Sequence, residues 1–127
     1  LLDRFDIVIE VPAVEHDKLL SEDLPEGSGV IKKRVERARK TQNKRMKGEA
    51  CTNSEITTGQ LDSLCKISSD GKRLLEQALK TNRLSARGYT RVRKVARTIA
   101  DLSGETEILV DHLAEALQYR GQDAIEL

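Results

Sequence analysis

The stretch Leu84-Ser85-Ala86-Arg87-Gly88-Tyr89-Thr90-Arg91-Val92-Arg93-Lys94-Val95-Ala96-Arg97-Thr98-Ile99-Ala100-Asp101-Leu102-Ser103-Gly104 decides the fold. Ser85 is a helix-capping residue, and Tyr89, Val92, Ala96 and Ile99 recur every three to four positions. That spacing predicts an amphipathic helix over 86–102, stopped by Gly104. Arg87 falls in its first turn, where a cation opposes the helix dipole. The placement is locally unfavourable and points to an anionic ligand. The competing reading is an ion pair with a local carboxylate, such as Glu76 on the preceding helix.

Outward from this helix the pattern stays helical. Val110-Asp111 opens a last helix with Leu113, Ala116 and Leu117 facing inward. Upstream, Ser68-Ser69-Asp70 opens a helix carrying Leu74, Leu75, Ala78 and Leu79, and Asn82-Arg83-Leu84 is a brief connector. Thr57-Thr58-Gly59-Gln60 fits a capping box before a short helix to about Cys65. A longer helix runs from about Gly29 to Met46 with a thin apolar stripe, Val30, Ile31, Val35, Ala38 and Met46. Glu15 to Leu20 reads as a helical turn. Phe5-Asp6-Ile7-Val8-Ile9-Glu10-Val11-Pro12 alternates as a strand would, yet one strand cannot satisfy its own backbone groups. The expected fold is all-α: a three- to four-helix bundle with antiparallel neighbours, preceded by a short strand.

Composition agrees. The chain has 127 residues, 34% charged and 2% aromatic, with no Trp and a net charge of +1. Such a chain is one domain by length and buries roughly two-thirds of its unfolded surface, with aliphatic side chains building the core. The balanced charge offers no general argument for nucleic acid or membrane. No apolar run approaches the ~18 residues that span a bilayer. Cys51 and Cys65 form no CxxC, and His16 and His112 lie in no ligand cluster, so no metal site is expected. Cys65 reads as a small buried hydrophobe.

Several segments resemble a known family. Leu1-Leu2-Asp3-Arg4-Phe5-Asp6 followed by a strand resembles the end of an AAA+ ATPase core. Residues 84–102 closely resemble the C-terminal region of magnesium-chelatase-like ATPases of the YifB/ComM family, as do Arg34-Val35-Glu36-Arg37-Ala38-Arg39-Lys40-Thr41-Gln42-Asn43-Lys44-Arg45 and Asp111-His112-Leu113-Ala114-Glu115-Ala116-Leu117-Gln118-Tyr119-Arg120. The resemblance implies the C-terminal helical lid of an ATP-driven ring, usually a hexamer, in the cytoplasm. ATP and Mg2+ would be held mostly by an N-terminal core carrying the P-loop. Arg87 falls at the sensor-2 arginine, which reaches the γ-phosphate, and Arg4 at the arginine finger, which enters the neighbouring subunit's site. These two are the expected catalytic residues, with Arg87 also contacting nucleotide. Arg93 stands where the family has a leucine, which implies a wetter face or a partner contact there. Met46 replaces an aromatic.

The expected organisation is the end of the core over 1–12, a linker over 13–29, the lid over 30–120 and a tail over 121–127. The chain begins inside a motif and without Met, so it is read as a piece of a longer protein that remodels a partner, with DNA as a candidate. By itself it has neither a phosphate-cradling loop nor paired carboxylates for magnesium, so it is not expected to hydrolyse ATP.

Two charged faces stay open. Arg91, Lys94 and Arg97 recur every three residues and read as a solvated face, against a subunit interface or a second phosphate contact. Lys32, Lys33, Arg34, Arg37, Lys40, Lys44 and Arg45, with Arg39 and Lys47, sit around the single acid Glu36. That run is either a solvated face or a phosphate-backbone contact. The alternative function is therefore a non-enzymatic helical module that binds nucleic acid through 32–47.

Overall fold

The computed structural model describes residues 4–20, 22, 24–47 and 51–120. They form α1 (His16–Leu19), α2 (Ser28–Arg45), α3 (Leu61–Leu64), α4 (Ser69–Lys80), α5 (Ala86–Leu102) and α6 (Val110–Gln118). Single 3₁₀ turns at Asn53–Glu55 and Thr58–Gln60 lie between α2 and α3. The fold is all-helical, as the periodicity requires. The tail expected over 121–127 and the first three residues of the opening motif lie outside the described residues.

Local chemistry sets the boundaries. Ser85 Oγ accepts from the Gly88 N–H at 3.0 Å and Ser68 Oγ from the Gly71 N–H at 3.1 Å, capping α5 and α4. Thr57 and Gln60 form the expected capping box, with the Thr57 N–H donating to Gln60 Oε1 at 3.0 Å. Helix α5 ends at Gly104, whose φ of 76° suits only a residue without Cβ strain. There the Gly104 and Glu105 N–H groups return to the carbonyls of Asp101 and Ala100, closing the C-terminus. Asn82, at φ 56°, ends α4 in the same way.

Helix α5 is the centre of the molecule and packs on α6, α2, α4 and α3. The core is aliphatic: Ile56, Leu61, Cys65, Leu75, Val92, Val95, Ala96, Ala100, Ile108 and Leu113 are all buried. Gly71 lets α4 approach α6 so closely that a Cβ there would lie 2.7 Å from Leu113 Cδ1.

Two expectations need correction. Residues 5–12 form no strand; the described residues contain only an isolated parallel bridge, Ile67 to Ile108. Phe5, Ile7, Ile9 and Val11 are exposed, and among the described residues no second strand completes a ladder beside them. The stripe on α2 also splits. Ala38 is buried and Met46 packs on the core, but Val30, Ile31 and Val35 are exposed. Helix α2 thus joins the body through its C-terminal half.

Candidate functional site

A broad groove of about 1170 Å³ runs beside α5. Its cationic lining is Arg87, Arg91, Lys94 and Arg34; Asp6 and Glu115 are its acids. The first-turn cation of α5 therefore stands at this groove. Ser85 uses its side chain on the Gly88 N–H and leaves Arg87 projecting outward, exposed. Among the described residues the Arg87 guanidinium makes no hydrogen bond or ion pair, so the Glu76 pairing does not form. A positive helix end and an unpaired guanidinium repel each other when empty, and both favour an anion.

The other groove cations have internal partners. Arg91 Nη1 donates to Asp6 Oδ1 at 2.6 Å and to the Arg4 carbonyl at 3.1 Å. Lys94 Nζ donates to the Ser54 carbonyl at 3.1 Å. Arg34 pairs with Glu26. Arg4 is exposed and lies outside the groove lining, joined to it only through its backbone.

The spacing-three face is not uniformly solvated. Arg97 is 4% exposed and donates to the carbonyls of Thr106 and Glu105, both at 3.0 Å. Burial lowers the pKa of its guanidinium, opposed by the Asp101 charge. Arg93 does not sit on a wet face either. It is 5% exposed and donates to the Cys65 and Leu61 carbonyls at 2.6 and 3.3 Å, with Asp62 at 3.1 Å. Its guanidinium lies 5.6 Å from the centre of the Tyr89 ring. An arginine is accommodated in the core because α3 is short: the Cys65 carbonyl just past its end accepts from the guanidinium, and the Leu61 carbonyl accepts from it in addition to the Cys65 N–H. Cys65 is fully buried, and burial raises its thiol pKa against the pull of Arg93, Arg97 and Arg45.

The basic helix also divides. Arg45 is drawn inward, its guanidinium on Asp101 and Asn53, and Arg34 takes Glu26. Lys32, Lys33, Arg37, Arg39, Lys40, Lys44 and Lys47 remain exposed without an ion pair among the described residues. Lys33, Arg37, Lys40 and Lys44 follow one another at steps of four, three and four. At ~100° per residue they occupy about 60° of arc opposite Ala38 and Gln42, along ~16 Å.

Sequence reasoning missed the inner polar cluster. Asp101, Asn53 and Gln42 are buried and joined through Asn53; His112 is also buried and accepts the Leu109 N–H on Nδ1 at 2.9 Å. No signal marks them, since helical spacing places a polar side chain on the inner face without naming its partner.

The family model described as magnesium chelatase, subunit ChlI C-terminal, matches residues 25–120. Competence protein ComM of Haemophilus influenzae is 40% identical over 120 residues, which is 94% of this chain and 23% of that protein. The uncharacterized protein YifB of Escherichia coli is 37% identical over 125 residues, 98% of this chain and 24% of that protein. An uncharacterized protein of Mycobacterium tuberculosis H37Rv is 31% identical over 121 residues, 94% and 24% of the two lengths. The chain thus spans about a quarter of the length of the curated relatives it matches.

Proposed function

Because the chain belongs to the magnesium chelatase ChlI C-terminal family, we propose that it is the helical lid of a cytoplasmic AAA+ ATPase ring and that Arg87 reads the γ-phosphate of ATP. The observation that carries this reading is the exposed Arg87 guanidinium, without a partner among the described residues and set in the first turn of α5 on an open groove. The fit to a polyphosphate is chemical. Guanidinium keeps its charge at any working pH and binds two phosphate oxygens with a planar fork. ATP with its magnesium ion would supply the cleavable phosphoanhydride. Most of its contacts, and the metal's ligands, are assigned to the three-quarters of the parent protein outside this chain.

In this reading residues 1–12 close the ATPase core, 13–29 link it to the lid, and 30–120 are the lid. Arg87 moves with α5, so the lid closes when a γ-phosphate neutralises it and opens when that charge leaves. Arg4 acts on the nucleotide of the next subunit in a hexameric ring, which makes turnover depend on assembly. No helix among the described residues is long and apolar enough to cross a membrane.

The partner to be remodelled is a second matter, and the outer stripe of α2 favours DNA. Lys33, Arg37, Lys40 and Lys44 are like charges at i,i+3 and i,i+4 spacing, which weakens an isolated helix. A phosphate backbone would neutralise them. The non-enzymatic alternative uses the same stripe, with Arg34 and Arg45 excluded from it by their internal partners.

Steady-state ATPase activity of the intact parent, wild type beside Arg87→Ala over a range of protein concentrations, tests the main reading. Wild-type activity per subunit should rise with concentration, and Arg87→Ala should lose most of it while staying folded. Unchanged activity in Arg87→Ala overturns the sensor role. No activity in the wild type leaves the helical binding module.

A further inference from the structure

We propose that Arg91 is a positioning residue that joins the two nucleotide-facing arginines, Arg87 of one site and Arg4 of the next, into one moving part. The inference rests on the lid reading above and adds to it a connection between sites. Arg87 and Arg91 are one turn apart on α5 and line the same groove. Of the groove cations, Arg87 alone has no partner among the described residues. Arg91 turns its Nη1 to the segment that carries Arg4, donating to the Arg4 carbonyl at 3.1 Å and to Asp6 Oδ1 at 2.6 Å.

The rest of that segment is fastened to the residues just after α6. Arg120 Nη1 donates to the Phe5 carbonyl at 2.7 Å, and the Val8 N–H donates to the Tyr119 carbonyl at 2.6 Å. Residues 4–8 therefore ride on α5 and the end of α6, although they bury little of their own surface. A tilt of α5 that follows a phosphate at Arg87 carries the Arg4 backbone with it. Of the fastenings, Arg91 is the one that holds Arg4 itself and sits on the helix of the sensor.

The pair is partly exposed, 29% at Arg91 and 56% at Asp6, so its removal should leave the fold intact. Its effect should appear in communication between sites. Coupling between sites typically changes an affinity or activity about 5-fold or more.

The experiment uses the intact parent protein and compares Arg91→Ala, Arg87→Ala, Arg4→Ala and the charge swap Asp6→Arg with Arg91→Asp. ATPase rate is followed against ATP and against protein concentration, and binding of a fluorescent ATP analogue is measured separately. In Arg91→Ala, nucleotide affinity should stay close to wild type. Its Hill coefficient should fall towards one, and the rise of activity with protein concentration should flatten about 5-fold. The charge swap should restore part of both. Cooperativity that persists in Arg91→Ala, while Arg87→Ala and Arg4→Ala abolish turnover, overturns the coupling role and leaves the lid reading standing. Affinity lost in Arg91→Ala as fully as in Arg87→Ala makes Arg91 a direct nucleotide contact and also overturns it. Full activity in Arg87→Ala and Arg4→Ala removes the lid reading and the inference with it, as does a wild type without cooperativity.

Discussion

Arg45 on α2 and Asp101 on α5 meet through two hydrogen bonds, Nη2 to Oδ1 at 2.5 Å and Nη1 to Oδ2 at 3.0 Å, and the carboxylate is wholly buried. Arg97 reaches the same carboxylate at 3.2 Å, and Asn53 donates to it at 2.9 Å. The Asn53 N–H in turn donates to Gln42 Oε1 at 3.0 Å. One carboxylate therefore balances two inward guanidiniums and ties the C-terminal end of α2, the Asn53–Glu55 turn and α5 together. The N-terminal half of α2 has no such anchor: Lys32 and Lys33 stay in solvent, and Arg34 pairs with Glu26 near the surface.

Asp101→Asn keeps the shape of this junction and removes its only negative charge. Arg45 and Arg97 are then left as buried, uncompensated cations, a situation that costs about 3–5 kcal/mol. Urea denaturation should show that loss as a lower midpoint with an unchanged slope. A midpoint close to wild type would mean that the arginines swing out to water and that the junction is not needed.

Gly71→Ala tests the close approach of α4 to α6. Alanine is the better helix former by about 1 kcal/mol. The added Cβ would lie 2.7 Å from Leu113 Cδ1, however, and Leu113 is fully enclosed by the core. Overpacking at such a site costs about 1–3 kcal/mol, so a net loss of stability is expected. A gain in melting temperature would show that Leu113 can repack.

Most of the fold was legible because its signals are local. Ser85, Ser68 and the Thr57/Gln60 pair cap where a capping residue precedes apolar periodicity, and Gly104 stops α5 where the chain needs a positive φ. Arg87 was legible as an exposed cation in the first turn of α5 because its conflict with the helix dipole lies within one turn. Arg93, Arg97 and Asp101 were not. They share the inner side of α5 with Val92 and Ala96, and what makes them tolerable is distant: carbonyls of Leu61, Cys65, Glu105 and Thr106, and the Arg45 guanidinium. Residues 5–12 carry the period of a strand, but a ladder needs a second segment that periodicity cannot supply.

Cys65 gives the packing of α5 a chemical readout. Burial raises its thiol pKa above the ordinary value of 9.0. Between that value and the folded one, the unfolded chain loses the thiol proton first and the folded chain keeps it. Stability from this group is therefore intact below pH 9.0 and falls as pH rises through the folded pKa. At neutral pH Cys65 should resist alkylation until the protein unfolds. Fast labelling of Cys65 in native protein, followed by peptide mapping, would contradict its enclosure.

The stripe on α2 makes a quantitative statement about salt. If Lys33, Arg37, Lys40 and Lys44 each neutralise one phosphate of duplex DNA, together they contribute about 3.6 to the slope of log affinity against log salt, at ~0.9 per phosphate. Replacing all four by Gln in the intact parent should reduce the slope by about that amount and weaken binding to all sequences alike, because backbone contacts carry no sequence information. The fold should survive, since these side chains are exposed and Arg45, which anchors the helix, is untouched. Lys32→Gln with Arg39→Gln is the control: both are exposed cations of the same helix but stand on a different side of it. An equal loss of slope in the control would mean diffuse attraction to a basic helix, and no change in either would remove α2 from DNA contact altogether.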